Sequence, residues 1–160
     1  MGGERDTCGN LPTRRRLTDI FRRPDIEARS VDVPLHWKIS HAGRSVDAVA
    51  TGHLSLRDIE GYFDDLMVSS AFPYRKLFDA TQTTSTVTDA EMMLLGARMS
   101  AYKELGPLGP LAIVTPSSSL RTQAMLFSAL APADRPLKIF KTVAAARRWL
   151  DAPIESDVAR

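Results

Sequence analysis

From Pro34 onward, the chain alternates between short apolar segments of strand type and longer segments with helical spacing. Two strand segments come first and are joined by a short turn, and single strands then alternate with helices. This order is typical of a mixed sheet that begins with a hairpin and continues with parallel strands. The predicted strands are 35–41, 45–52, 74–80, 111–115 and 137–142, and the predicted helices are 55–70, 89–105, 118–130 and 143–150.

Local patterns within these segments support the assignment. LHWKISH alternates, with Leu35, Trp37 and Ile39 on one predicted face, as in a strand that is buried on one side. LAIVT is the most apolar short run and is predicted to be a buried parallel strand. Thr88 is followed three residues later by Glu91, which predicts a capping box. The sequence therefore predicts an α/β fold with a single mixed sheet of about five strands and about four helices.

The length and composition indicate one globular domain. The chain has 160 residues, of which 44% are hydrophobic and 25% are charged, so it is long enough to bury a core. We place the domain at residues 34–152. Residues 1–33 contain few large apolar residues and are expected to form a flexible N-terminal tail, and residues 153–160 a polar C-terminal tail.

Charge and residue usage limit the classes of partner. The net charge of +2 gives no strong field toward nucleic acid or membrane, and no apolar run reaches the roughly 20 residues of a membrane span. The single cysteine, Cys8, fits a reducing compartment and a cytoplasmic location. His36, His41 and His53 are not spaced like metal ligands. We therefore expect no nucleic-acid partner, no membrane span, no cofactor, no metal site and no catalytic group.

Two hydroxyl-rich segments follow predicted strands. Six of the eight residues in 81–88 are serine or threonine, and three consecutive serines precede Arg121. Loops after parallel strands are common ligand sites, and a helix N-terminus favours an anion. The alternative is that these hydroxyls only cap helices and face solvent. The candidate ligand or switch residues are Asp79, Thr81, Thr83, Thr84, Ser85, Thr86, Ser117, Ser118, Ser119 and Arg121.

Four segments of the sequence are characteristic of a known fold: HWKISHAGRSVDAVATG, YRKLFDAT, PLAIVTPS and LKIFKTVAAARRWL. They resemble the STAS/SpoIIAA-like fold of the bacterial anti-sigma-factor antagonists, and together they cover about residues 34–151. The most telling of them is the short last strand with its capped helix, which ends in Trp149-Leu150. The chain is especially similar to small uncharacterised bacterial proteins of this fold.

The regulatory members of this family carry a phosphorylatable serine in an Asp-Ser-Ser/Thr-Gly motif, at the N-terminus of the helix after the strand that matches YRKLFDA. Asp79 ends that strand here, as an Asp does in the family. The motif itself is absent, and Thr84-Ser85-Thr86 is the nearest equivalent. This departure argues against control of a sigma factor by a kinase.

The resemblance and the hydroxyl-rich segments lead to two main hypotheses. The first is a non-enzymatic regulatory or protein-interaction module that binds a protein partner, a second copy of the chain or a small anion at loops 81–88 and 117–121, with phosphorylation of a hydroxyl as a switch. The second is a carrier of a small apolar or lipid-like ligand, since other proteins of this fold bind such ligands beside the sheet. A deep apolar cavity favours the carrier, a flat apolar helix face favours the partner, and converging buried polar groups with shifted pKa values favour an enzyme.

Overall fold

The computed structural model describes residues 33–132 and 134–153. The tails predicted for residues 1–33 and 153–160 therefore lie outside the described residues, apart from Val33 and Pro153. The helices and strands follow the predicted order. They are β1 (Leu35–Ser40), β2 (Ser45–Leu54), α1 (Leu56–Val68), β3 (Arg75–Ser85), α2 (Asp89–Leu105), β4 (Leu111–Val114), α3 (Ser118–Leu130), β5 (Leu137–Phe140) and α4 (Val143–Asp151).

The five strands form one mixed sheet in the order β1-β2-β3-β4-β5. β1 and β2 are antiparallel, and each later pair of neighbours is parallel. Two neighbouring strands can be parallel only if the chain crosses back between them, and α1, α2 and α3 provide these three crossovers. The structure thus confirms the predicted α/β class, with the hairpin first and the β-α alternation after it.

The helices divide between the two faces of the sheet. α1, α2 and α3 contribute Tyr62, Leu95 and Phe127 to the larger apolar core, whereas α4 packs Ala146 and Leu150 into a smaller core on the opposite face. β3 lies in the middle and contributes to both. Its Leu77 belongs to the smaller core, and the next residue, Phe78, packs against the larger one. The adjacent apolar residues of this strand therefore indicated burial on both faces correctly.

The prediction of a loop at residues 81–88 is wrong over most of that range. β3 does not end at Ala80 but continues to Ser85, and β2 continues past Gly52 to Leu54. The two extensions pair with each other, with Gly52 beside Thr83 and Leu54 beside Ser85. This parallel pairing satisfies backbone groups that a solvated loop would leave to water.

A register shift separates the two halves of this long strand pair. Val49 lies beside Asp79, but Thr51 lies beside Gln82, so β3 contains one extra residue at this point. Such a bulge reverses which residues point to a given face. Lys76, Phe78 and Ala80 line one side of the sheet before the bulge, and Thr83 and Ser85 line the same side after it.

Capping interactions fix the start of the helices. The capping box of α2 is present: the Thr88 hydroxyl accepts from the Glu91 N–H at 3.2 Å, and the Glu91 carboxylate accepts from the Thr88 N–H at 2.8 Å. Thr142 caps α4 in the predicted way. Among the helices of the described ranges, none combines the length and the apolar composition that crossing a bilayer requires.

The loop before β4 lies directly against the loop before β3. The N–H of Gly109 donates to the Phe72 carbonyl at 2.8 Å, and a Cβ on Gly109 would collide with the carbonyl oxygens of Pro73 and Tyr74. Only glycine allows the two backbones to approach this closely.

We expect Gly109→Ala to destabilise the protein by roughly 1–3 kcal/mol, because the added methyl group forces the two loops apart. Gly61→Ala is the matched control: Gly61 is in the interior of α1 and a Cβ there meets nothing within 4 Å. This control should gain about 1 kcal/mol from helix propensity. Urea unfolding monitored by circular dichroism measures both changes. A Gly109→Ala variant as stable as the wild type would contradict the close approach.

Candidate functional site

A cavity of about 100 Å³ lies between the sheet and helices α1, α2 and α3. Close-packed protein interiors rarely leave voids larger than one water molecule, so a cavity of this size is unusual. Its wall is almost entirely apolar. The apolar residues that line it include Leu54, Ile59, Phe63, Leu66, Phe72, Phe78, Ala80, Met92, Leu95, Leu111, Ile113, Leu120, Ala124 and Phe127.

β3 runs along the floor of the cavity. Lys76 lines it near the start of the strand, and Thr83 and Ser85 line it after the bulge. Ser85 lies nine positions after Lys76 on this strand. The cavity is therefore a groove that follows β3 beneath the helices, and the strand supplies a different chemistry at each end.

The Lys76 end of the groove is buried. Lys76 is only 1% exposed, and its Nζ atom donates to the carbonyl oxygens of Phe72 and, at 2.6 Å, Tyr74. Burial, with repulsion by the Arg135 charge as a smaller cause, lowers the pKa of Lys76 from the ordinary 10.5 to about 6.

Arg135 is a second buried basic residue at the same groove. It lies between α3 and β5 and is 8% exposed. Its Nε donates to the Gly109 carbonyl at 3.2 Å, and one terminal nitrogen lies 3.4 Å from the Met99 sulfur, a weak acceptor. Burial lowers the pKa of Arg135 to about 10, which leaves the guanidinium charged at neutral pH. The ion pairs found in the described ranges include neither Arg135 nor Lys76.

Tyr62 of α1 adds a buried hydroxyl to the lining of the cavity. Its ring packs against Trp37 and Phe78, with centroids 5.5 Å and 6.0 Å away. Its hydroxyl oxygen is buried and has no hydrogen-bond partner among the residues described. Burial raises the pKa of the Tyr62 phenol, so this group stays protonated and is a hydrogen-bond donor.

The other end of the groove is more open. Thr83, Ser85, Leu120 and Gln123 are half-buried there. The amide nitrogen of Gln123 donates to the Val87 carbonyl at 2.8 Å, which ties α3 to the short connection before α2. The carboxyl ends of the parallel strands lie on this side, where ligands usually enter open α/β sheets.

Most of the hydroxyls predicted as a site are used locally. The Asp79 carboxylate accepts from the N–H and, at 2.7 Å, from the hydroxyl of Thr81, and neither residue lines the cavity. The Thr84 hydroxyl bonds the His53 ring at 2.7 Å. The Thr86 hydroxyl donates to the Leu54 carbonyl at 3.2 Å. Of this segment, only Thr83 and Ser85 reach the cavity.

The second predicted segment begins α3. The Ser117 hydroxyl accepts from the Leu120 N–H at 3.4 Å and caps the helix. Ser118, Ser119 and Arg121 are exposed in the first turn. The bond from Gln123 to Val87 confirms that this turn lies beside the connection after β3, so the two predicted segments are neighbours.

The sequence did not single out Tyr62, Lys76 or Arg135. Tyr62 falls at a helical position and Lys76 at the start of a strand, where both residue types are common. One signal in the sequence could have identified Lys76. Lys76 and Phe78 lie on the same face of a strand that was predicted to be buried on both sides, so the sequence places a lysine at a buried position. Arg135 follows no periodic pattern, because it lies in the loop between Pro132 and Pro136.

Comparison with known proteins supports the fold. No protein-family model matches the chain, and no curated protein is significantly similar to it. Among solved structures, the chain is similar to an uncharacterized protein of the DUF3478 family from Shewanella loihica PV-4, described as having a SpoIIAA-like fold. The match has 17% identity and a TM-score of 0.51, and covers 72% of this chain and 93% of that chain. The SpoIIAA-like fold expected from the sequence is thus confirmed.

The shifted pKa of Lys76 makes the stability of the ligand-free protein depend on pH. Between the folded value of about 6 and the unfolded value of 10.5, the unfolded chain binds a proton that the folded chain does not. Stability therefore rises with pH in this window, by up to about 1.4 kcal/mol per pH unit. Lys76→Met removes this contribution.

We expect the free energy of unfolding of the wild type to increase relative to Lys76→Met when the pH is raised from about 7 to about 9, within the window set by the pKa of Lys76. Urea unfolding at both pH values measures the difference. The matched control is Lys38→Met, which makes the same substitution at an exposed strand position. An equal pH dependence for wild type and Lys76→Met would contradict the burial of a neutral Lys76.

Proposed function

We propose that the protein is a non-enzymatic binding protein that carries or senses a small, largely apolar ligand in the cavity beneath α1, α2 and α3. The observation that supports this proposal is the cavity itself, with its volume of about 100 Å³ and its apolar lining. A ligand that fills the cavity removes this apolar wall from water, which stabilises the complex by about 25 cal/mol per Å² of apolar surface buried.

Fewer observations support the hypothesis of a protein-interaction module. Its hydroxyl-rich loop is largely strand, and most of its hydroxyls are already bonded within the chain. Two observations still favour it: Ser118, Ser119 and Arg121 are exposed at the N-terminus of α3, and Met93, Leu94 and Met125 expose apolar side chains on α2 and α3. A protein partner, a second copy of the chain or a small anion at these helices is the second candidate function.

The buried polar groups of the cavity also raise the question of an enzymatic function. Lys76, Arg135 and Tyr62 have shifted pKa values and line one cavity, which is a feature of many active sites. General acid–base or nucleophilic catalysis requires a positioned partner, such as a carboxylate or an imidazole, within hydrogen-bond reach. The lining of the cavity contains neither among the described residues, so we propose binding without catalysis. A bacterial, cytoplasmic and regulatory context is part of the proposal, supported by the fold and by the single cysteine.

Filling the cavity tests the proposed function. Ala124 lines the groove from α3, and Ala124→Phe places a ring inside it. Ala129 is exposed on the same helix, so Ala129→Phe adds the same group outside the cavity. We expect 1-octanol, a small neutral amphiphile, to bind the wild type and Ala129→Phe with equal affinity, and Ala124→Phe at least about tenfold more weakly, a loss of about 1.4 kcal/mol.

Isothermal titration calorimetry measures these affinities, and thermal unfolding verifies that both variants are folded. Undiminished binding to a folded Ala124→Phe variant would show that the alcohol binds elsewhere. If neither 1-octanol nor octanoate, its carboxylate analogue, bound any of the three proteins, the carrier would be overturned and the exposed faces of α2 and α3 would remain as the functional surface.

A further inference from the structure

The buried end of the cavity has hydrogen-bond donors without matching acceptors. The Nη2 atom of Arg135 donates to no described residue, and the Tyr62 hydroxyl is unpartnered. The Lys76 nitrogen donates to the Phe72 and Tyr74 carbonyls, which uses both N–H groups of a neutral amine, and a third donor appears when Lys76 is protonated. All three side chains line the same cavity.

The charge at this end is also unbalanced. Lys76 and Arg135 are close enough for their charges to repel, and Arg135 is close enough to Tyr62 to affect its pKa. Within the described ranges, no ion pair neutralises Arg135, which stays charged at neutral pH, and none stabilises the charged form of Lys76. A buried cation without a counter-charge is unfavourable. The bonds to the loop carbonyls satisfy some donors, but a carbonyl is neutral and leaves the charge in place.

We propose that the ligand of this cavity is an apolar chain with a carboxylate headgroup, and that Lys76, Arg135 and Tyr62 bind the carboxylate. This inference rests on the proposed function and names the chemical class of its ligand. The oxygens of a carboxylate accept several hydrogen bonds, its single negative charge offsets the buried cations, and arginine binds it in a two-pronged geometry. The apolar wall beyond Phe78 and Ala80 accommodates the chain.

Other anionic ligands fit the cavity less well. A phosphate or a small hydrophilic anion would place further polar oxygens against an apolar wall, where they would lose hydrogen bonds to water. A neutral amphiphile would leave the Arg135 charge uncompensated. The ligand class that satisfies the wall and the charged end together is an aliphatic or aromatic carboxylate.

Binding of a carboxylate is coupled to the protonation of Lys76. In the ligand-free protein the Lys76 amine is largely neutral at about pH 8, since its pKa is about 6. A bound carboxylate favours the ammonium form, so the protein takes up a proton with the ligand. The only other titratable groups that line the cavity in the described chain are Tyr62 and Arg135, which stay neutral and charged respectively at this pH.

The test compares octanoate with 1-octanol, which have the same chain length and differ in headgroup charge. We expect the wild type to bind octanoate at least about tenfold more tightly than 1-octanol, because hydrogen bonds to charged groups are the stronger ones. Calorimetry at about pH 8 in two buffers with different ionisation enthalpies should show uptake of close to one proton with octanoate and none with 1-octanol.

Substitutions of Lys76 and Arg135 test whether these residues cause the preference for octanoate over 1-octanol. Lys76→Met and Arg135→Met should each lower the ratio of octanoate affinity to 1-octanol affinity by about tenfold or more. Lys38→Met, an exposed control, should leave this ratio unchanged. If the buried variants do not fold, the headgroup preference and the proton uptake of the wild type still decide the question.

The outcomes separate this inference from the proposed function. Equal affinity for octanoate and 1-octanol would overturn the carboxylate and retain an apolar ligand. An octanoate preference that survives Lys76→Met and Arg135→Met would overturn the assignment to these residues. Binding of neither compound would overturn the proposed function itself.

Discussion

The parallel pairing of β2 with β3 determines where the cavity lies and which side chains line it. β3 is the middle strand of five and the longest, and both of its faces are covered. Leu77 anchors α4 on one face, while Lys76, Phe78 and Ala80 form the cavity floor on the other. The bulge opposite Val49 and Thr51 then turns Thr83 and Ser85 toward the same cavity. Without the extra residue, alternation would place Gln82 and Thr84 there instead.

The sequence predicted the architecture because each element has its own local signal. LAIVT is apolar throughout, Thr88 and Glu91 cap α2, and Thr142 caps α4, so the order of elements could be derived without tertiary information. The end of β3 could not be predicted from such local signals. Gly52 looked like the end of β2, but it adopts φ +67° within the paired strand, next to the register shift. Threonine favours both strands and hydroxyl-rich turns, and only the partner strand decides between them.

The site was harder to predict because its polar groups come from distant parts of the chain. Tyr62 lies on α1, Lys76 on β3, and Arg135 in the loop before β5. Each has an ordinary local explanation: an inward helical position, a polar strand end, a charged loop. Their significance depends on burial, which places two basic side chains and a phenol on one apolar cavity. The hydroxyls that the composition emphasised, such as those of Thr84 and Thr86, are satisfied by His53 and by the backbone.

Lys76 and Arg135 also have a structural role. Lys76 bonds the carbonyls of the loop before β3, and Arg135 bonds Gly109 in the adjoining loop, where the two backbones meet. Neutral donors would make the same bonds without the cost of burying charge, so loop bracing alone does not explain the guanidinium of Arg135, which stays charged at neutral pH. This uncompensated charge and the apolar cavity occur at the same place. The proposed ligand, an apolar chain with a carboxylate, accounts for both features, whereas loop bracing accounts for neither.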